Sequence, residues 1–250
     1  MMRGLVVIAG LGCLIAACAT EQIAVREEKA DAHYNIGVAR LASGDAKQAI
    51  AELSQAIGDA SNNPAYHNAL GLAYLMDRRA DPAIASFRRA VELDSNFSDA
   101  YNNLGSAYIQ QAKYDQAVKA FKRALANPSY LSPEQAHLNL GNVYMVQGQT
   151  ADAVVEFKRV LDAAPDFAEA HNRLGYAYLV QGQLELAIAE LTLAVKQAPE
   201  LATAYQSLGF AYLRADEKDR ARQAFQKVVD LSFTSEMSAE AMRQLKQLNQ

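Results

Sequence analysis

Six glycines, Gly37, Gly71, Gly105, Gly141, Gly175 and Gly209, recur at intervals of 34, 34, 36, 34 and 34 residues, and the same residue types surround each one. A fixed period of about 34 residues marks stacked helix-turn-helix units, each too small to bury its own apolar face and each completed by its neighbours. The period therefore selects an all-α chain built by repetition and excludes a single central core. Chains of this build present extended surfaces for binding rather than a cleft for chemistry.

The rows around the ladder carry the packing. One residue before the glycine stand Ile36, Leu70, Leu104, Leu140, Leu174 and Leu208, and three after it Arg40, Tyr74, Tyr108, Tyr144, Tyr178 and Tyr212. Twelve after it stands alanine in every copy (Ala49, Ala83, Ala117, Ala153, Ala187, Ala221), and sixteen after it Leu53, Phe87, Phe121, Phe157, Leu191 and Phe225. Glycine and alanine let the two helices of a unit approach closely, and the large side chains fill the space that remains. These residues resemble the tetratricopeptide consensus over about 205 of the 250 residues. The resemblance implies a right-handed α-solenoid of six helix-turn-helix repeats over residues 30–234. Residues 235–250 then supply a capping helix, with Met237, Ala241, Leu245 and Leu248 on one stripe against Glu240, Arg243 and Lys246.

Glycine and proline usage agrees with this register. Gly44, Gly148 and Gly182 stand where the first helix of a repeat should turn, and only Gly58 has no place in the pattern. All six prolines fall at expected helix starts or in connections between repeats.

The chain opens MMRGLVVIAGLGCLIAACATEQ, in which Arg3 precedes an apolar run that ends in small residues. This is the pattern of a secretory signal, and the run falls short of the ~20 apolar residues that span a bilayer. Ile15, Ala16, Ala17 and Cys18 resemble the lipobox of bacterial lipoproteins, so residues 1–17 are expected to be a cleaved signal and Cys18 the lipid-attachment site. Cysteine usage supports this, because the chain has two cysteines and none after Cys18, which leaves no disulfide framework to explain it. Each buried methylene contributes ~0.8 kcal/mol, so more than one acyl chain fixes a protein to a membrane. In lipoproteins an Asp after the cysteine retains the protein in the inner membrane; here that position is Ala19, which permits sorting to the periplasmic face of the outer membrane. Residues 18–29 then form the anchor and a short acidic tether, Glu21 to Lys29.

The formal charge of −4 becomes −5 once Arg3 leaves with the signal, as 23 basic residues then face 28 acids, which argues against nucleic acid as a partner. All four histidines, His33, His67, His137 and His171, stand four residues before a ladder glycine, where Tyr101 and Tyr205 stand in two other repeats. The position asks for a large, partly polar ring. Equivalent residues of adjacent repeats lie on the order of 10 Å apart, too far to share an ion, so no metal site is expected. No thiol remains in the repeats and no nucleophile elbow or phosphate-binding loop appears, so neither catalysis, a cofactor nor a small-molecule substrate is expected.

In the tetratricopeptide family the first helix of each repeat lines a concave binding groove, and its candidate residues fall on three rows. Three before the glycine are Tyr34, Asn68, Asn102 and Asn172; one after it are Leu72, Asn142, Tyr176 and Phe210; four after it are Leu75, Ile109, Met145, Leu179 and Leu213. Side-chain amides can bond to a peptide backbone, and the apolar rows can take side chains of a helix or an extended segment. Lysines that grip a C-terminal carboxylate in chaperone-binding relatives are missing from the amide positions.

The period breaks once, between Gly105 and Gly141, where the connection from Ala126 to Glu134 gains two residues. Ser132, Pro133 and Gln135 then read as an N-cap, a first-turn proline and a capping-box glutamine. Six repeats behind a lipobox, with a lengthened Tyr/Pro connection after the third, resemble the pilotin lipoproteins of type IV pilus secretins, the PilF/PilW and Tgl family. The matching residues are Asn103, Leu104, Gly105, Ala124, Leu125, Tyr130 and Pro133. This resemblance implies a secretin subunit as the partner and secretin assembly as the task; a general periplasmic adaptor that recruits cell-wall enzymes or other envelope proteins is the alternative.

Overall fold

The structure is a computed structural model that describes the backbone of residues 3–232 and 236–249, with side chains from residue 21 onward. Thirteen helices follow one another without a strand among the described residues: α1 (Arg3–Ala42), α2 (Ala46–Asp59), α3 (Pro64–Met76), α4 (Ala80–Leu93), α5 (Ser98–Gln110), α6 (Tyr114–Leu125), α7 (Pro133–Val146), α8 (Thr150–Ala163), α9 (Ala168–Gln181), α10 (Leu184–Gln197), α11 (Ala202–Arg214), α12 (Lys218–Leu231) and α13 (Glu236–Leu248). Each odd-numbered helix up to α11 carries a ladder glycine and pairs with the helix that follows it, which gives the six expected repeats. The signal segment and the Cys18 side chain lie outside the described side chains. Glu21 to Lys29, expected as a tether, are helical and exposed and run unbroken into the first repeat helix, where Ala30 is the first buried side chain.

The chain divides into two compact units, Met1–Asn127 and Pro128–Gln250, each holding three repeats. The division falls inside the lengthened connection between α6 and α7. In the first unit α2 packs on α3 and α4 on α5; in the second α8 packs on α9, α10 on α11, and α13 closes α12. First helices also touch in succession, α1 with α3 and α3 with α5 in one unit, α7 with α9 and α9 with α11 in the other.

The ladder explains why each pair closes. A Cβ built on Gly71, Gly105 or Gly141 would lie 2.5 Å from Cε1 of Phe87, Phe121 or Phe157, and one on Gly37 or Gly175 would lie 2.6 Å from Cγ of Leu53 or Leu191. The residue sixteen places on thus sits directly on the glycine backbone. These five partners, Phe225 opposite Gly209, and all six alanines twelve places on are completely buried. The core of each repeat is therefore a glycine face covered by one large side chain and flanked by alanine.

All six turns within repeats share one geometry, whatever the residue. Gly44, Gly148 and Gly182 take φ of 79°, 74° and 77°, as expected, but the equivalent Arg78, Ala112 and Asp216 take φ of 59°, 55° and 58°. In each turn the next residue donates its N–H to the carbonyl five places back, as Asp45 does to Arg40 at 2.9 Å and Lys113 to Tyr108 at 2.9 Å. That backbone bond closes the first helix and imposes the left-handed conformation even where a side chain resists it.

Capping follows sequence less closely. Asp45 and Asn63 accept bonds from Gln48 N–H and Ala65 N–H, the latter ahead of Pro64 at the first helical position. Ser132 does occupy the N-cap of α7 with Pro133 behind it, yet its side chain makes no cap bond, and Gln135 donates to Asn139 Oδ1 at 3.1 Å instead of closing a capping box. On α13, Ala241 is completely buried, and the Arg222 guanidinium of α12 donates to the Leu248 carbonyl at 3.2 Å, which satisfies one of the helix's last acceptors.

Candidate protein-binding faces

The histidines are structural. His33, His137 and His171 place Nδ1 2.7, 2.6 and 2.6 Å from Oε2 of Glu52, Glu156 and Glu190 on the second helix of the same repeat. His67, whose repeat carries Ser86 at the glutamate position, places Nε2 2.8 Å from the Ser61 carbonyl. His171 also sets Nε2 2.8 Å from the Pro165 carbonyl. The glutamate, fifteen residues after the ladder glycine, escaped the sequence reading. Its signal was internal: Glu stands there in three of the four histidine repeats, and Ala120 and Ala224 stand there in the two tyrosine repeats.

In the first unit, the first-helix face is partly self-bonded. Tyr34 stacks against Tyr66 with ring centroids 5.0 Å apart, so it packs α1 onto α3 rather than standing free. The Tyr66 hydroxyl donates to the Asp31 carboxylate, and burial together with that bond raises its pKa to about 12. Asn68 Oδ1 accepts from Asn103 Nδ2 at 3.0 Å, an amide link between α3 and α5. Leu72 is exposed, whereas Leu75, Asn102 and Ile109 are half-buried along the same face.

The second unit presents the more open face. Tyr176 is 47% exposed and stands between the half-buried Asn142 and Met145 of α7 and the half-buried Phe210 and Leu213 of α11 in the row order of the repeats. Phe210 packs edge-on against Phe225, centroids 5.2 Å apart, which fixes its ring. Leu179 is buried, and the Arg214 guanidinium bonds its carbonyl at 2.5 Å, so this residue joins α9 to α11 instead of meeting a partner. Asn172 is also buried; its Nδ2 donates to Thr203 Oγ1 at 3.2 Å, and its Oδ1 meets no donor in the protein. A buried amide oxygen without a donor costs about 1–3 kcal/mol, and because this one is closed off between α9 and α11 the cost is carried by the fold and the side chain, like Leu179, does not meet a partner.

These faces offer amide groups, aromatic edges and half-buried aliphatic side chains in rows. That combination binds polypeptide through its backbone and apolar side chains. Among the described residues, no group of three or more His, Cys, Asp or Glu side chains is arranged to hold a metal ion.

Comparison with known proteins agrees with this architecture. A family model described as tetratricopeptide repeat matches residues 16–64, 34–99, 102–157 and 138–202, and a second of the same description matches 202–235. Among solved structures, PilW, described as a widely conserved type IV pilus biogenesis factor, is 22% identical with a TM-score of 0.78, over 85% of this chain and 98% of that one. PilF of Pseudomonas aeruginosa is 20% identical with a TM-score of 0.77, over 87% of this chain and 98% of that one. YrrB, a TPR protein described as having an unusual peptide-binding site, is 21% identical with a TM-score of 0.62, over 76% of this chain and 97% of that one. No curated protein matches the chain by sequence. With every glycine of the ladder inside a matched repeat and every repeat folded as a helix pair, the chain belongs to the tetratricopeptide repeat family.

Proposed function

We propose that the chain is a pilotin-type lipoprotein. Acyl chains on Cys18 hold it to the periplasmic face of the outer membrane, and its first-helix faces bind secretin subunits while the secretin multimer assembles. The observation that carries this reading is the likeness to PilW and PilF over 98% of each of those chains. It is supported by the lipobox from Ile15 to Cys18 and by the single lengthened connection after the third repeat. The open row around Tyr176, with the half-buried Asn142, Met145, Phe210 and Leu213 beside it, supplies the chemistry that captures a polypeptide segment.

Deleting the gene tests the reading. Secretin multimers and surface pili should be lost and monomeric secretin should accumulate; unchanged multimers and pili would refute it. The matching family models describe the tetratricopeptide repeat at large, which supports the alternative of a general envelope adaptor. A pull-down that returns cell-wall hydrolases in place of secretin would favour that alternative.

A further inference from the structure

The residues 11, 14 and 18 places after the ladder glycine form one row on the outer side of the second helix of each repeat. In α12 these are Arg220, Gln223 and Lys227, and each of α2, α4, α6 and α8 likewise carries at least one charged or amide side chain among the three. In α10 alone all three are apolar: Leu186, Ala189 and Leu193. Leu186 is 49% and Leu193 39% exposed, with Thr192 exposed beside them, whereas Ala187, Leu191 and Ala194 of the same helix are completely buried. The stripe is bounded by opposite charges. Glu185 stands at the N-terminal end and Lys196 at the C-terminal end, both exposed, and neither is paired among the described residues.

We propose that this stripe is a homodimer surface, on which α10 packs antiparallel to α10 of a second copy about a two-fold axis near Ala189. A two-fold contact uses one patch twice and requires that patch to complement itself. The stripe does so only in the antiparallel sense. Leu186 then meets Leu193 of the second copy on both sides of the axis, and the small Ala189 at the axis lets the backbones approach. Glu185 comes within about 3 Å, measured along the helix at 1.5 Å per residue, of the level of Lys196 of the second copy. A parallel pairing would set Glu185 against Glu185 and Lys196 against Lys196. The self-matching of both the leucines and the charges favours a second copy over an unrelated partner. A contact of one helix per protomer belongs to the small, readily reversible class of interfaces.

The test uses the full chain in cells, with a photo-crosslinking amino acid at position 189 or, as a control on the same row of α12, at position 223. Position 189 should give a band at twice the monomer mass with at least ten times the yield of position 223. Equal yields, or a product from 189 of another mass, would overturn the proposal. Leu193→Glu should reduce the dimer band at least tenfold without changing the circular dichroism spectrum. Glu185→Lys and Lys196→Glu should each reduce it at least threefold, and the two together should restore it. Failure of the double exchange to restore the band would overturn the proposal even if the leucine variant unfolds, because an unrelated partner would not exchange its charges in step.

Discussion

Two glycine-to-alanine substitutions should change stability in opposite directions. At Gly105 a Cβ would lie 2.5, 2.7 and 2.8 Å from Cε1, Cζ and Cδ1 of Phe121. Carbon pairs rest at about 3.5–4.0 Å, so the ring must retreat by about 1 Å. Phe121 is completely buried and has nowhere to go without separating α5 from α6. Overpacking of this kind costs about 1–3 kcal/mol, and alanine's better helix propensity returns up to about 1 kcal/mol. Gly105→Ala should therefore destabilise by about 1–2 kcal/mol. At Gly58, near the end of α2, an added Cβ meets nothing within 4 Å, so only the propensity gain remains. Gly58→Ala should stabilise by about 0.5 kcal/mol, less than mid-helix because the site lies in the last turn. Urea midpoints compared at constant m-value read both effects in the same chain. Combining Gly105→Ala with Phe121→Val should cost less than the sum of the separate changes, since the clash vanishes with the ring. A stabilising Gly105→Ala, or strict additivity with Phe121→Val, would refute the close-contact account of the ladder.

Three further outcomes follow from the structure. Ala112→Gly should stabilise by about 0.5–1 kcal/mol, because relief of about 1–2 kcal/mol of left-handed strain exceeds glycine's extra unfolded-state entropy; thermal melting that shows a loss would contradict this. Tyr66 ionises near 10 when unfolded but at about 12 when folded, so its contribution is intact below pH 10 and is lost as pH rises from there to 12. Ultraviolet titration should show a lagging tyrosine among the 12, absent in Tyr66→Phe. Asn172→Leu gives up one hydrogen bond of about 1 kcal/mol but removes a buried acceptor without a donor, so stability should hold or rise by up to about 2 kcal/mol. Thermal melting reads this, and a loss of more than about 1 kcal/mol would contradict it.

The architecture was readable because it is repeated: a backbone contact such as Gly105 on Phe121 tolerates one residue type, so the demand shows six times over. The same logic holds for the glutamates opposite the histidines, whose demand is visible only in the pairing of two columns. The turns were half hidden, because the backbone bond that closes each first helix imposes the left-handed conformation on Arg78, Ala112 and Asp216, which nothing in those side chains announces. The binding faces were the least legible. Leu179 and Tyr176 share one helix face in the consensus, yet α11 covers the first and leaves the second open, a distinction made by packing between repeats. At α7 the sequence places the N-cap residue Ser132 and the first-turn Pro133 correctly but not the capping box, since the Ser132 side chain makes no cap bond and Gln135 donates to Asn139.

The most direct test of a secretin-binding scaffold is photo-crosslinking from Tyr176, the most exposed of the candidate face residues, in cells that express the acylated full-length chain. The account predicts a product that contains the secretin subunit. Crosslinks that never contain secretin, or that form equally from Lys227 on the outer side of α12, would contradict it.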